Sequence, residues 1–70
     1  MMDGRLIRVS KYRDDPRPVG YIVAVAGPVE AIALVRAKLG EPGDEIMDAG
    51  RVTDTLLIAL KLQPGELVRA

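Results

Sequence analysis

Seventy residues, with ten Lys and Arg against ten Asp and Glu, give zero formal net charge and room for a single small domain spanning 1–70. With 49% hydrophobic and 29% charged residues, the chain has the balance of a folded globular domain and not of a disordered tail or a fibre. His, Cys, Trp, Phe and Asn are all missing, which removes the commonest general base, every thiolate ligand and most stacking side chains, so the usual enzyme and metal chemistries are disfavoured.

A chain this short buries only about 60% of the surface that its unfolded form exposes. Without Cys, no disulfide can compensate. Burial against a second copy is the remaining route, and a homodimer is expected. The longest apolar stretch, residues 19–35, is broken by Gly27-Pro28 and holds Glu30. Neither a membrane span nor a signal peptide fits it, and a cytoplasmic protein is expected.

In chain order, Arg5 to Arg13 is rich in β-branched residues and lacks helical spacing, so it reads as a strand. Asp14-Asp15-Pro16-Arg17-Pro18 must end it, because two prolines remove donors and fix φ. Val19 to Ala26, almost continuously apolar, suits a central strand and completes an antiparallel hairpin. Pro28 favours the first position of a helix, where its missing N–H costs nothing, and the spacing predicts a helix over Pro28–Leu39. Ile32, Val35 and Leu39 form its inward stripe, and Gly40 is placed to end it in a left-handed conformation. Ala31, Ala33 and Ala37 favour the helix and allow close approach to a neighbour.

Glu41 to Asp44 is loop chemistry, and Glu45 to Ala49 reads as a third strand. In Val52 to Leu62, the alternation of Leu56, Ile58, Leu60 and Leu62 fits a strand, whereas Leu56, Leu57 and Leu60 fit a helical stripe. Thr53 as N-cap followed by Asp54 in the first turn favours the helix. That choice puts Lys61 where Gly would ease the exit and leaves Ile58 and Leu62 in need of a partner. Pro64-Gly65 stops the element, and Glu66 to Ala70 is an extended tail able to add an edge to a sheet.

The expected fold is thus α+β, β-β-α-β-α on a mainly antiparallel sheet, with β-β-α-β-β as the alternative. If the second and third strands share a sheet, the crossover makes them parallel to each other. The expected core is Ile7, Val9, Ile22, Val23, Val25, Ile32, Val35, Leu39, Ile46, Leu56, Leu57 and Leu60.

Arg5, Arg8, Lys11, Arg13 and Arg17 make the amino-terminal part basic and are the candidate phosphate contacts of a nucleic-acid-binding hairpin. Strand alternation divides them, since Arg5, Lys11 and Arg13 share a parity with Ile7 and Val9 while Arg8 shares one with Leu6 and Tyr12. A charged edge strand that resists aggregation is the competing reading. Glu41, Asp44, Glu45, Asp48 and Asp54 are acidic, but their spacing matches no calcium loop. Gly27-Pro28 opens no phosphate-binding glycine pattern. Ser10, Thr53 and Thr55 have no His with which to form a triad, so no catalytic residue, metal or cofactor is expected.

Gly50-Arg51-Val52-Thr53, followed by Leu60-Lys61-Leu62-Gln63-Pro64-Gly65-Glu66-Leu67-Val68, resembles the core repeat of AbrB-type swapped-hairpin transcription regulators and antitoxins. In that family a Gly-Arg-Val-Thr strand leads through a short helix to Leu-x-Pro-Gly-acid and another strand. Here Asp54-Thr55 replaces the family's Pro-Lys, the spacing is shorter, and the resemblance implies no DNA-binding residue. The expected role is a small, non-catalytic protein-interaction module that self-associates and meets a further protein partner; the alternative is a nucleic-acid-binding regulator using the Arg-rich hairpin.

Overall fold

The structure, a computed structural model, describes residues 3–70; Met1 and Met2, which the sequence reading includes in the domain, lie outside the described residues. Its elements run β1 (Gly4–Ser10), β2 (Val19–Val23), α1 (Pro28–Leu39), β3 (Glu45–Val52), α2 (Asp54–Ala59) and β4 (Leu67–Arg69). The strands form one sheet in the order β3-β1-β2-β4, with every neighbouring pair antiparallel. This is the expected small α+β domain, with the tail adding a fourth strand beside β2. Because β1 lies between them and opposes both, β2 and β3 run in the same direction, as a crossover through α1 requires.

Turn chemistry cuts the first hairpin shorter than apolar pattern alone suggests. The Asp15 carboxylate accepts the backbone N–H groups of Lys11 and Arg17, both at 2.9 Å, and Asp15 N–H bonds the Tyr12 carbonyl. That local network takes the chain out of the ladder after Ser10. Beyond Val23, Ala24 exchanges hydrogen bonds with Gly65 and Glu66 instead of with a strand.

The third strand is longer than Glu45–Ala49. Its register against β1 passes from Ile7↔Asp48 to Leu6↔Gly50, so Ala49 is an extra residue in a β-bulge, and Gly50 takes φ +134, a conformation that a side chain would strain. Gly50 therefore continues the strand.

Helix α1 has the expected bounds, but its inward face is turned toward Ala31 and Val35, both fully buried, while Leu39 is 41% exposed. Gly40 does not take the left-handed conformation; at φ −71, ψ 143 it is extended, and its N–H bonds the Val35 and Arg36 carbonyls. A Cβ there would stand 2.8 Å from the Arg36 carbonyl oxygen, so close approach to the helix end, and not φ, calls for glycine.

Helix α2 follows Thr53, whose hydroxyl makes no capping bond. Its exit is a Schellman turn: Lys61 sits at φ 57, its N–H bonds the Ile58 carbonyl, and Leu62 N–H bonds the Leu57 carbonyl. Lys61 does stand where Gly would be easier.

Two loops are built alike. Glu41-Pro42-Gly43-Asp44 and Gln63-Pro64-Gly65-Glu66 each close with the fourth residue's N–H on the first residue's carbonyl, at 3.0 Å. Gly43 (φ 93) and Gly65 (φ 85) supply the positive φ of a type II turn after Pro. In each, the acidic side chain at the fourth position accepts the first residue's N–H, at 2.9 Å in one and 2.7 Å in the other. One turn feeds β3 and the other β4.

The apolar side chains divide between the faces of the sheet. On one, Ile7, Val9 and Val23 meet Ala31 and Val35 of α1, with Tyr21, Val25, Ile32, Leu34, Ile46 and Leu67 around them. On the other, Leu57 of α2 packs with Ala24 and Val52, flanked by Leu6, Ile22 and Leu62. Gly4 makes this seat, since a Cβ there would lie 3.0 Å from Leu57 and 2.5 Å from the Val23 carbonyl oxygen. Of the expected core, Leu56 and Leu60 are exposed along with Leu39, because a six-residue helix turns only one narrow side inward.

Candidate interaction surface

The five basic residues do not converge. Arg5 lies on the α1 face, where its guanidinium makes a fork with Asp48 of β3: Nε donates to Oδ1 at 2.9 Å and the terminal nitrogen to Oδ2. That pairing raises the Arg5 pKa, and the same hydrogen bonds hold the Asp48 carboxyl below the usual carboxylate range. Lys11 donates to Asp44 at 3.2 Å with Glu41 nearby, and the hydrogen bond to Asp44 raises its pKa. The buried Asp44 carboxylate is held low chiefly by the Glu41 N–H and further by Lys11. Arg13 and Arg17 are exposed in the loop between β1 and β2. Arg8 alone points to the sheet face opposite α1, since its neighbours Ile7 and Val9 both belong to the α1 side.

That second face is only half covered. Helix α2 sits over the end formed by Gly4, Ala24 and Val52. Next to it, the strand register sets Gly50, Leu6, Ile22 and Val68 in one row, in which Leu6 and Ile22 flank the α2 cluster, and Met47, Arg8 and Gly20 in the row beyond. Leu6 and Ile22 are half-buried, Arg8 is exposed, and Met47 is 52% exposed. Glu45 shares this face, because Ile46 between it and Met47 packs on the α1 side. Among the described residues neither Arg8 nor Glu45 makes an ion pair.

The flanks of α2 also expose apolar side chains, Leu56 and Leu60 on one and Ile58, 71% exposed, on the other. The sequence already leaves Ile58 without a place. Met47 and Val68 are harder to find from sequence, because their exposure depends on which sheet face α1 leaves open. Alternation within β3, with Ile46 inward and Met47 outward, was the available signal.

Among the described residues no pocket is formed, and no group of three or more His, Cys, Asp or Glu could hold a metal ion. No helix of the described residues is long and apolar enough to cross a membrane. Compared with known proteins, the chain matches no family profile, no curated protein and no solved structure.

Proposed function

We propose that the chain is a non-catalytic interaction module that self-associates, working in the cytoplasm and burying the half-open sheet face against a second copy. The observation that carries this reading is the part of that sheet face beyond α2, where Met47 and Val68 are exposed near Arg8, bordered by the half-buried Leu6 and Ile22 that flank the α2 cluster. Exposed apolar surface gathered on one side of a domain marks a contact site far more than the same residues scattered singly.

Size supports the same conclusion. A 70-residue chain with no Cys has a marginal core, and surface buried between copies adds to its stability by mass action. The nucleic-acid reading of Arg5, Arg8, Lys11, Arg13 and Arg17 gains nothing from their placement, because two are spent on Asp48 and Asp44 and the others lie on different surfaces.

Sedimentation equilibrium tests the proposal. The expected mass rises with concentration from 7.6 kDa to about twice that value. A mass that stays at 7.6 kDa up to the millimolar range refutes it.

A further inference from the structure

We propose that the free edge of β4 takes up an extended segment of a partner protein as an added antiparallel strand, one that sets an acidic residue opposite Arg69 and an aliphatic residue opposite Val68. This edge is a second surface, apart from the sheet face assigned to self-association, and its occupation is independent of that association.

Hydrogen bonding fixes which backbone groups of β4 are free. Ala70 N–H bonds the Gly20 carbonyl and Ala24 N–H bonds the Glu66 carbonyl, both at 2.8 Å. In the register that pairs Ile22 with Val68, residues 66, 68 and 70 therefore turn their backbone groups toward β2. Leu67 and Arg69 turn theirs the other way, and β4 is the last strand on that side of the sheet. An antiparallel guest exchanges a pair of hydrogen bonds with each of these two residues, and its middle residue faces Val68 across a close, non-hydrogen-bonded pair.

The opposite edge offers less. β3 is longer, but the bulge at Ala49 breaks its alternation, and the Asp48 carboxylate is held in the fork with Arg5. β4 carries neither a bulge nor a proline.

Side chains specify the guest. Leu67 packs against the core on the α1 side, so Arg69 shares that side, beside Tyr21, while Val68 lies on the other, 37% exposed. Arg69 is exposed and makes no ion pair among the described residues. A guest whose successive residues are acidic, aliphatic and aliphatic sets its acid against Arg69 and its aliphatic pair against Val68 and Leu67. A second copy of β4 fits worse. In the register that uses both Leu67 and Arg69, Val68 opposes Val68 of the mate, and the two Arg69 side chains become diagonal neighbours on one face. Like charges then meet where the acidic guest supplies opposite ones.

The probe is the acetylated peptide Thr-Glu-Val-Val-Thr, titrated into the nitrogen-15-labelled whole chain and followed by two-dimensional amide spectra, which also report folding. Binding with a Kd on the order of 1 mM is expected, because a few backbone hydrogen bonds carry it. The largest changes should fall at the Leu67 and Arg69 amides, with slowed hydrogen exchange at both. Methylating the backbone nitrogen of the peptide's Glu removes one bond and blocks another, and should weaken binding roughly tenfold or more. Replacing that Glu by Lys should weaken it several-fold, and Arg69→Glu should reverse the preference between the two peptides. Unmoved Leu67 and Arg69 amides at about 10 mM peptide, equal binding of the methylated peptide, or changes confined to β3 overturn the proposal. A preference for Glu that survives Arg69→Glu overturns the acidic guest. Changes at the same two amides on diluting the chain without peptide place a second copy on the edge, and overturn the proposal equally.

Discussion

Replacing Val35 and Leu39 of α1 separately by Ala measures which side of that helix the sheet uses. Both residues lie on the stripe expected from sequence, one turn apart, yet Val35 is fully buried among Ile7, Val9, Val23 and Ala31 while Leu39 is 41% exposed. Val→Ala removes two methyl-sized groups, about 0.8 kcal/mol each, and the closed site retains a cavity. The expected loss at Val35 is about 2–3 kcal/mol. At Leu39 more carbon is removed, but water fills the space and Ala suits a helix, so about 1 kcal/mol is expected. In a domain of this size each kcal/mol moves Tm by about 4–8 °C. Thermal unfolding followed by circular dichroism should therefore show Val35→Ala falling by roughly 8–24 °C and Leu39→Ala by about a third to a half as much. All samples need one protein concentration, since association also adds stability. Equal losses, or a larger loss at Leu39, would refute the orientation of α1.

Lys61→Gly should stabilise the chain by about 1 kcal/mol in urea unfolding, because Lys61 holds φ 57 in the Schellman turn and glycine carries no side-chain penalty there; a loss of stability would contradict that turn. Gly4→Ala should cost about 2 kcal/mol, since the added Cβ meets the Val23 carbonyl at 2.5 Å and crowds Leu57; an unchanged urea midpoint would mean that Leu57 is seated elsewhere. Asp15, Asp44 and Asp48 are all held below their ordinary range, by backbone N–H donors at Asp15 and Asp44 and by the Arg5 fork at Asp48. Their contribution is therefore complete above the unfolded pKa of about 3.9 and is lost as pH falls through the lower folded values. A Tm that declines from pH 5 toward pH 2, less steeply in Asp48→Asn, is expected; a flat profile would contradict the pairing.

Much of the fold was legible because local signals agreed. Pro28 opens α1, and the run from Val19 onward gives β2. Thr53-Asp54 marked the start of α2 correctly, although through backbone geometry and not through a hydroxyl cap. Failures came where the pattern depends on what lies across the chain. Gly50 reads as an interruption until a bulge opposite Leu6 and Ile7 makes it part of the strand. Leu39, Leu56 and Leu60 are apolar and periodic, yet whether such residues are covered is a tertiary matter. The Gly-Arg-Val strand, short helix, Pro-Gly turn and final strand follow one another in the chain, and the final strand β4 pairs with β2. The candidate surface was the least legible part: sequence separates Arg8 from Arg5 by parity, whereas the open half-face emerges only from the sheet order β3-β1-β2-β4 and the shortness of α2.

An isotope-filtered nuclear Overhauser experiment on an equimolar mixture of carbon-13-labelled and unlabelled chains reports only proximities between copies. Cross-peaks joining the Met47 methyl of one copy to methyl groups of the other are the predicted result. Their absence at concentrations where the sedimenting mass is twice 7.6 kDa, or their appearance at Val29 instead, would contradict it.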